Sequence, residues 1–336
     1  MNIINYKSLI QHNTFNIDIK ARQFVKIQSE DDILNLLNYK YVDKKHKLVL
    51  GGGSNILFTK DLDGLVIHNT IKGINIIKEY KHNSIVELGA GEIWHDVVIW
   101  SINKGLYGLE NLALIPGYVG AAPIQNIGAY GVELNDTFES LDAIHLTTKE
   151  QITFTKSDCK FGYRDSIFKN QYRNEFIITK VRLKLSKNKN INLSYKALEQ
   201  EVKKLNKNNI TCKDISKLVI KIRTKKLPDP KKIGNAGSFF KNPIISKNIL
   251  YNIQKKYPDI PFYETNEIKI PAGWLIEKLK WKGYKNKNCG VYSKQALVLI
   301  NHSNSTGKEI QNLANKIKQE VFQTFNIKLE EEVLIL

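Results

Sequence analysis

The run from Ile115 to Gly131 constrains the fold most. It reads Ile-Pro-Gly-Tyr-Val-Gly-Ala-Ala-Pro-Ile-Gln-Asn-Ile-Gly-Ala-Tyr-Gly, with four glycines, two prolines and no charged side chain. A core strand excludes Pro and Gly. A solvated loop of this length would be more polar. Two readings remain on the residues alone. One is a plain buried loop. The other is a backbone pressed against a flat or extended ligand, with Gln125 and Asn126 able to read ring amides.

Four more segments could carry chemistry. Leu50 runs into Gly51, Gly52, Gly53, Ser54 and Asn55. Consecutive glycines after a strand expose amide N–H groups and let an anion approach closely. Ile56 stands where a dinucleotide fingerprint needs its third glycine, and no Gly-Lys-Ser/Thr follows for a P-loop. A tight turn between strands is the competing reading. In Lys160–Ser166, Arg164 follows Tyr163 and suits bidentate recognition of a carboxylate, unless it only pairs with Asp165 at the surface. Lys226 could meet a diphosphate. Gly234–Pro243 places Ser238 after Ala-Gly and before two phenylalanines, where its hydroxyl could be shielded from water, although such a serine is usually a turn residue. There is no G-x-S-x-G elbow to support a hydrolase triad. Glu330, Glu331 and Glu332 precede an apolar end. Three acids there ordinarily mark a solvated edge, and one turned inward would be a candidate acid or electrostatic partner.

The elements read as α+β. Ser29 caps a helix with Asp32 at the third position, followed by Ile33, Leu34, Leu36 and Leu37. Leu48–Leu50 and Leu65–Ile67 read as strands, and Ile85–Leu88 as a strand ending at Gly89-Ala90-Gly91. A helix is expected from about 92 to 104, with Ile93, Val97 and Trp100 inward and Gly105 as its stop. Val181, Leu183 and Leu185 alternate with Lys180, Arg182 and Lys184, a half-buried antiparallel strand. Residues 186–213 are Lys/Asn-rich, anchored by Leu193, Tyr195 and Leu198. Leu227-Pro228-Asp229-Pro230 breaks the chain. Pro271 opens a helix closed by Gly283. Thr306 and Glu309 form a capping box for a long helix, and 333–336 read as a last strand.

With 336 residues the chain is long enough for two or three domains. No apolar run approaches the ~20 residues of a membrane span, and the N-terminus lacks a signal-peptide pattern, so a cytoplasmic protein is expected. Cys159, Cys212 and Cys289 are odd in number and widely spaced, which argues against a disulfide framework or a cysteine-held zinc. No H-E-x-x-H occurs, and no metal site is expected. The net charge of +18 fits Lys/Asn-rich compositional drift, as in Lys187–Asn190, or attraction of an anionic small substrate. Basic residues are not interleaved with stacking aromatics, which argues against nucleic acid.

In this order the segments resemble the UDP-N-acetylenolpyruvoylglucosamine reductase family, in the longer of its two forms. The motifs carrying the resemblance are Gly51–Asn55, Ile115–Gly131, Gly162–Ser166, Gly234–Pro243, Pro271–Ile276 and Leu329–Val333, and it extends from about Asn13 to the C-terminus. It implies an FAD-binding fold of the vanillyl-alcohol-oxidase type. Residues 1–70 and 71–225 would be the two flavin subdomains and 226–336 a substrate-binding α+β domain, with the final strand packing back near the flavin. FAD would be bound noncovalently by Gly51, Gly52, Gly53, Ser54, Asn55, Gly117, Gly120, Gln125, Asn126, Gly128 and Ala129. NADPH would be the co-substrate and UDP-N-acetylglucosamine enolpyruvate the substrate of a monomeric enzyme. The resemblance assigns Arg164 to the substrate carboxylate, Glu332 as its partner and Ser238 as the proton donor. It assigns Tyr163, Tyr195, Lys226, Asn242 and Gln295 to substrate binding, with Tyr195 on a closing loop. The chain ends four residues after Glu332, where relatives usually continue, which would hold that strand less firmly. Other flavin oxidoreductases of this fold are the alternative.

Overall fold

The computed structural model describes residues 2–40, 46–264 and 267–336. The chain divides into two compact units. The first comprises Met1–Lys7, Lys20–Gly52 and Leu62–Arg223; the second comprises Ser8–Ile19, Gly53–Asp61 and Thr224–Leu336.

The first unit contains a four-stranded and a five-stranded sheet. In one, Lys20–Ile27 and Lys47–Leu50 both run parallel to Leu62–Asn69 between them. Its apolar side chains, Val25, Ile27, Leu65 and Ile67, pack with Ile33, Leu36 and Leu37 of the helix Glu30–Asn38. That helix starts where the sequence marks it: Ser29 Oγ accepts from the amide of Asp32 at 3.1 Å, filling one of the donors a helix N-terminus leaves open.

The other sheet is antiparallel, in the order Gln151–Thr155, Phe138–His145, Phe176–Ser186, Asn83–Gly89, Ile74–Glu79. Val181, Leu183 and Leu185 are fully buried. Arg182 lies on the other face opposite Glu87 and bonds both Glu87 Oε2 (2.9 Å) and Asp142 Oδ1 (2.8 Å). Period-two patterning thus separates an apolar face from an ion-paired one.

The helix expected from about 92 is Trp94–Asn103. Its inward residues are Trp94, Val97, Val98 and Ser101, while Ile93 is its N-cap and is exposed. The indole of Trp94 explains the rotation: its Nε1–H donates to Leu112 O at 3.1 Å inside the core, so the large ring takes the buried place. Gly105 ends the helix with φ +70°. The polar stretch beyond 186 holds two helices that periodicity did not reveal, Lys196–Lys203 and Cys212–Lys226.

In the second unit, Leu334–Ile335 pairs in parallel with Ile56–Leu57, and the amide of Thr59 donates to Leu336 O at 2.6 Å. The long helix is Gly307–Phe325, with Ile310, Leu313, Ile317 and Val321 buried. Thr306 and Glu309 cap it reciprocally. The helix opened by Pro271 is Ala272–Lys278. It ends before Gly283; Lys280 takes the left-handed conformation, at φ +64°. Among the described residues no helix is long and apolar enough to cross a membrane, and no group of three or more His, Cys, Asp or Glu could hold a metal ion.

Candidate active site

Residues 115–131 form neither a strand nor a free loop. Single turns at Val119–Ala121 and Pro123–Gln125 lead into a two-residue hairpin, Gly128–Ala129 with Val132–Glu133. The run is laced to the turn after Asn83–Gly89: Gly120 N donates to Ala90 O (2.8 Å), Val119 N to Glu92 O (2.9 Å) and Trp94 N to Gly117 O (3.0 Å). Gly117 also meets the glycine turn, since a side chain on Gly52 would lie 3.0 Å from its Cα. Only main chain and the Tyr118 ring can sit there.

At the turn itself, the amides of Gly51, Gly52 and Gly53 have no main-chain acceptor among the described residues. Gly53 has φ +61°, and a Cβ there would come 2.0 Å from His12 O. Glycine is thus required for the chain to turn. A series of open amides on side-chain-free backbone suits an anion such as a diphosphate.

Gln125 and Ala129 are half-buried within the run. Asn126 is buried. In its side chain, Nδ2 donates to Glu133 Oε2 (2.7 Å) and Gly162 O (3.1 Å), while Oδ1 accepts from Asn135 N (3.0 Å). Those bonds fix Asn126 at φ +44°. Arg164 is tied to the same hairpin. Its Nη2 donates to Gly128 O at 2.5 Å, its Nη1 lies 3.8 Å from Glu133 Oε1, and its guanidinium lies over the Tyr163 ring. The sequence-level pairing with Asp165 is not what holds it; Asp165 accepts from Asn170 Nδ2 at 2.9 Å and 3.0 Å. Tyr195 is the N-cap residue of Lys196–Lys203, with its ring edge-on to Tyr130 at 5.0 Å.

Two residues of this cluster escaped sequence reasoning. Tyr130 closes the glycine-rich run, at φ +52°. Its phenol interacts with Arg223 in the helix Cys212–Lys226. Burial pushes the Tyr130 phenol up to about 12 and draws the Arg223 guanidinium down from its usual range. A signal was available: Arg223 falls four residues after buried Val219 and beside buried Ile222, on the apolar stripe of its helix.

In the second unit, Ser238 sits between Gly237, at φ +70°, and the buried Phe239 and Phe240. Phe239 N donates to Leu297 O (2.8 Å), and the segment bearing Glu332 runs alongside: Glu332 N donates to Phe239 O (2.8 Å) and Lys241 N to Glu330 O (2.9 Å). Asn55 Nδ2 donates to Glu332 O at 3.1 Å, so Asn55 fixes the acidic segment. Of the other two acids, Glu331 pairs with Lys318 (2.6 Å) and Glu330 with Lys241 (3.4 Å). Ser54 follows Gly53 and is half-buried. Asn242 Oδ1 accepts from Ala272 N (3.0 Å), Gln295 Oε1 from Leu297 N (3.3 Å), and Lys226 is exposed at a helix end.

The comparisons give these two constellations a class. Residues 21–151 match a family model described as an FAD binding domain. Residues 229–336 match the model of the UDP-N-acetylenolpyruvoylglucosamine reductase C-terminal domain. The chain is therefore built as a flavoprotein oxidoreductase. It is 50% identical to the UDP-N-acetylenolpyruvoylglucosamine reductase of Flavobacterium johnsoniae over the whole of both chains. It is 45% identical to that of Amoebophilus asiaticus, covering 96% of each. The crystal structure of the reductase of Thermus caldophilus superposes with a TM-score of 0.67 at 20% identity, covering 99% of this chain and 98% of that one, which shows a shared fold. The chain belongs to the UDP-N-acetylenolpyruvoylglucosamine reductase family.

Proposed function

We propose that this protein reduces UDP-N-acetylglucosamine enolpyruvate to UDP-N-acetylmuramate with NADPH, acting as a cytoplasmic monomer in peptidoglycan precursor synthesis. The observation that carries the reading is the pairing of the Glu332 segment with the strand-like segment that follows Ser238. It supports the reading because Ser238, which the family resemblance assigns as the proton donor, and Glu332, which it assigns as the partner of the carboxylate-binding arginine, lie on neighbouring, mutually bonded backbones. Residues 1–70 and 71–225 are read as the flavin-binding subdomains and 226–336 as the substrate domain. The open amides of Gly51–Gly53, with Ser54 and Asn55, would hold the FAD diphosphate, and the Gly117–Ala129 backbone would lie along the cofactor. Bound FAD would carry hydride from the nicotinamide to the substrate.

This chain's side chains deal with the charge that results. Hydride addition to the vinyl carbon leaves negative charge beside the substrate carboxylate. Arg164, pre-set by its bond to Gly128 O, would oppose that charge without reorganising. Ser238 would give its Oγ proton to the adjacent carbon. A serine hydroxyl is a poor acid in water, so a strongly basic carbon and a dry setting are needed. The buried Phe239 and Phe240 supply the dry flank. Lys226, Asn242 and Gln295 would hold the diphosphate and nucleotide, and Tyr163 and Tyr195 the sugar side, with Tyr195 closing over it.

The test is an anaerobic absorbance titration of the purified protein. Flavin bands should bleach with NADPH and return with the enolpyruvyl ether. In Ser238→Ala the bleaching should persist while the return slows by about 10²–10⁴-fold. A protein that takes up no FAD, or one that bleaches and is never reoxidised by the enolpyruvyl ether, would overturn the reading.

A further inference from the structure

Gly273 is the second residue of the helix Ala272–Lys278. Glycine weakens a helix relative to alanine, because its backbone has more freedom to lose. The backbone here is helical, so no left-handed angle calls for glycine. Nor does a close approach of main chain. Outside the helix itself, the three nearest atoms to an added Cβ are Gln295 Oε1 at 3.2 Å and Leu297 Cγ and Cδ1 at 3.4 and 3.7 Å, all in side chains. Gly53 and Gly234 differ: a Cβ on either would meet a main-chain oxygen, at 2.0 and 2.3 Å. The fold therefore does not need glycine at 273. The seat of Gln295 does.

Gln295 Oε1 accepts from Leu297 N at 3.3 Å. At the neighbouring residue of the same helix, Asn242 Oδ1 accepts from Ala272 N at 3.0 Å. A main-chain N–H can only donate, so in each amide the atom facing it is the oxygen and the –NH2 group is turned away. Each –NH2 has two protons to give, and among the described residues neither donates to the protein. Both side chains are half-buried. Two one-way donors thus converge at Ala272 and Gly273. They flank the segment that bears Ser238, since Ser238 bridges to Val298 and Phe239 N donates to Leu297 O at 2.8 Å.

Resting on the reductase reading, we propose that Gly273 is a positioning residue of the nucleotide site: it leaves room for Gln295 to lie against the helix, so that Gln295 and Asn242 present their –NH2 groups together to the diphosphate of the UDP-sugar. An ionised diphosphate has oxygens that accept and none that donates, which matches a pair of one-way donors. A uracil edge sets an N–H between its two carbonyls, and side-by-side donors meet that pattern poorly.

The test measures UDP affinity by calorimetric titration, and thermal unfolding, for the FAD-loaded protein and the variants Gly273→Ala, Gln295→Ala, Gln295→Glu and Gly273→Ala with Gln295→Ala. Gly273→Ala should weaken UDP binding by about 10-fold, the scale of disturbing one hydrogen bond to a charged group. It should raise KM for the enolpyruvyl ether without lowering kcat, as a loss of uniform binding does. Its unfolding midpoint should be unchanged or higher, because alanine favours the helix. A merely structural glycine would lose stability and affinity together. In the Gln295→Ala background, Gly273→Ala should have no further effect on affinity, because it acts through Gln295. Gln295→Glu keeps an oxygen for Leu297 N and replaces the –NH2 by a second carboxylate oxygen. It should bind UDP about 10-fold less well than Gln295→Ala, through repulsion of the diphosphate. A Gly273→Ala protein that binds UDP as the wild type does, that unfolds earlier or fails to fold, or whose loss adds to that of Gln295→Ala would overturn the role of Gly273. Equal affinities of Gln295→Glu and Gln295→Ala would overturn the diphosphate as the group addressed, and so would a wild type without affinity for UDP. A wild type that binds UDP but is not reoxidised by the enolpyruvyl ether would overturn the reductase reading alone, and the UDP comparisons would still decide the proposal.

Discussion

Replacing Gly53 by alanine tests how tightly the glycine turn is specified. Two costs add. The residue has φ +61°, and a Cβ in the left-handed region costs about 1–2 kcal/mol. The new methyl would also stand 2.0 Å from His12 O, 2.8 Å from His12 C and 2.9 Å from Asn13 Cα. All three are main-chain atoms, so no side chain can swing away. Forcing a group into a packed position typically costs about 1–3 kcal/mol, which makes the sum about 2–5 kcal/mol. The damage would spread, because Thr14 N donates to Gly53 O (3.0 Å) and Asn235 N to Thr14 O (2.9 Å). Gly237 provides the control. It has a similar φ, +70°, with nothing within 4 Å of an added Cβ, so Gly237→Ala should cost only the about 1–2 kcal/mol of strain. Thermal unfolding of both variants, followed on the same transition, should show the Gly53→Ala midpoint displaced downward by about twice as much or more. FAD uptake should weaken in Gly53→Ala. Equal midpoint shifts would refute the argument that the close approach to His12, beyond the backbone angle, demands glycine.

Two further outcomes follow from capping and charge. Thr306→Ala removes an acceptor for the Glu309 amide and one half of the reciprocal cap. It should lower stability by about 1 kcal/mol, measured by denaturant unfolding, while Thr306→Ser should recover most of it. Asp214, in the first turn of Cys212–Lys226, is held down to about 2 by its bond from Lys207 and then by Thr211. Its folded value lies below the ordinary value of 3.8. Its contribution is therefore full above about pH 4 and is lost as pH falls towards about 2. Amide exchange in the first turn of that helix should accelerate over this window, and Asp214→Asn should remove the pH dependence.

The legible parts of the fold were those with a local physical cause. Ser29 and Thr306 cap helices because each is followed at the third position by a residue that completes the cap. The 181–185 strand showed itself because one face is apolar throughout. The helix Lys196–Lys203 was illegible because Leu198 is its one buried residue, too few for a period. Cys212–Lys226 has six buried residues, but Lys213, Lys217, Lys221 and Lys225 interrupt them and hide the stripe. Gly283 looked like a helix stop, yet Lys280 takes the left-handed turn itself, a choice made by tertiary packing that composition does not record. The candidate site divides in the same way. Gly51–Asn55 could be singled out because consecutive glycines after a strand leave amides open to an anion, whereas Ser238, in a setting where serine is usually a turn residue, drew its role from the family resemblance. Arg223 is named only by what surrounds it, and its partner Tyr130 lies 93 positions earlier in the chain.

Backbone strain follows the same division. Leu114, Asn126, Tyr130, Lys160 and Arg164 all have positive φ without being glycine. Apart from Leu114, they fall in the two segments 115–131 and 160–166 that meet at Arg164. Each such residue costs free energy that the surroundings must offset. Asn126 shows how: its two side-chain donors and its acceptor are all bonded within the cluster. Its commitment to structure thus allows Arg164 to be held at Gly128 O. The main chain of Tyr130 is held through Asn111, whose Nδ2 donates to Tyr130 O at 2.8 Å. Residues that hold strained neighbours cannot be told from ligand-reading residues by type alone, because both tasks call for an amide or hydroxyl in a buried, glycine-rich segment. Asn126→Ala should therefore behave unlike Tyr130→Phe. The first should loosen the Arg164 seat and disturb every function of the cluster together. The second should leave those bonds in place.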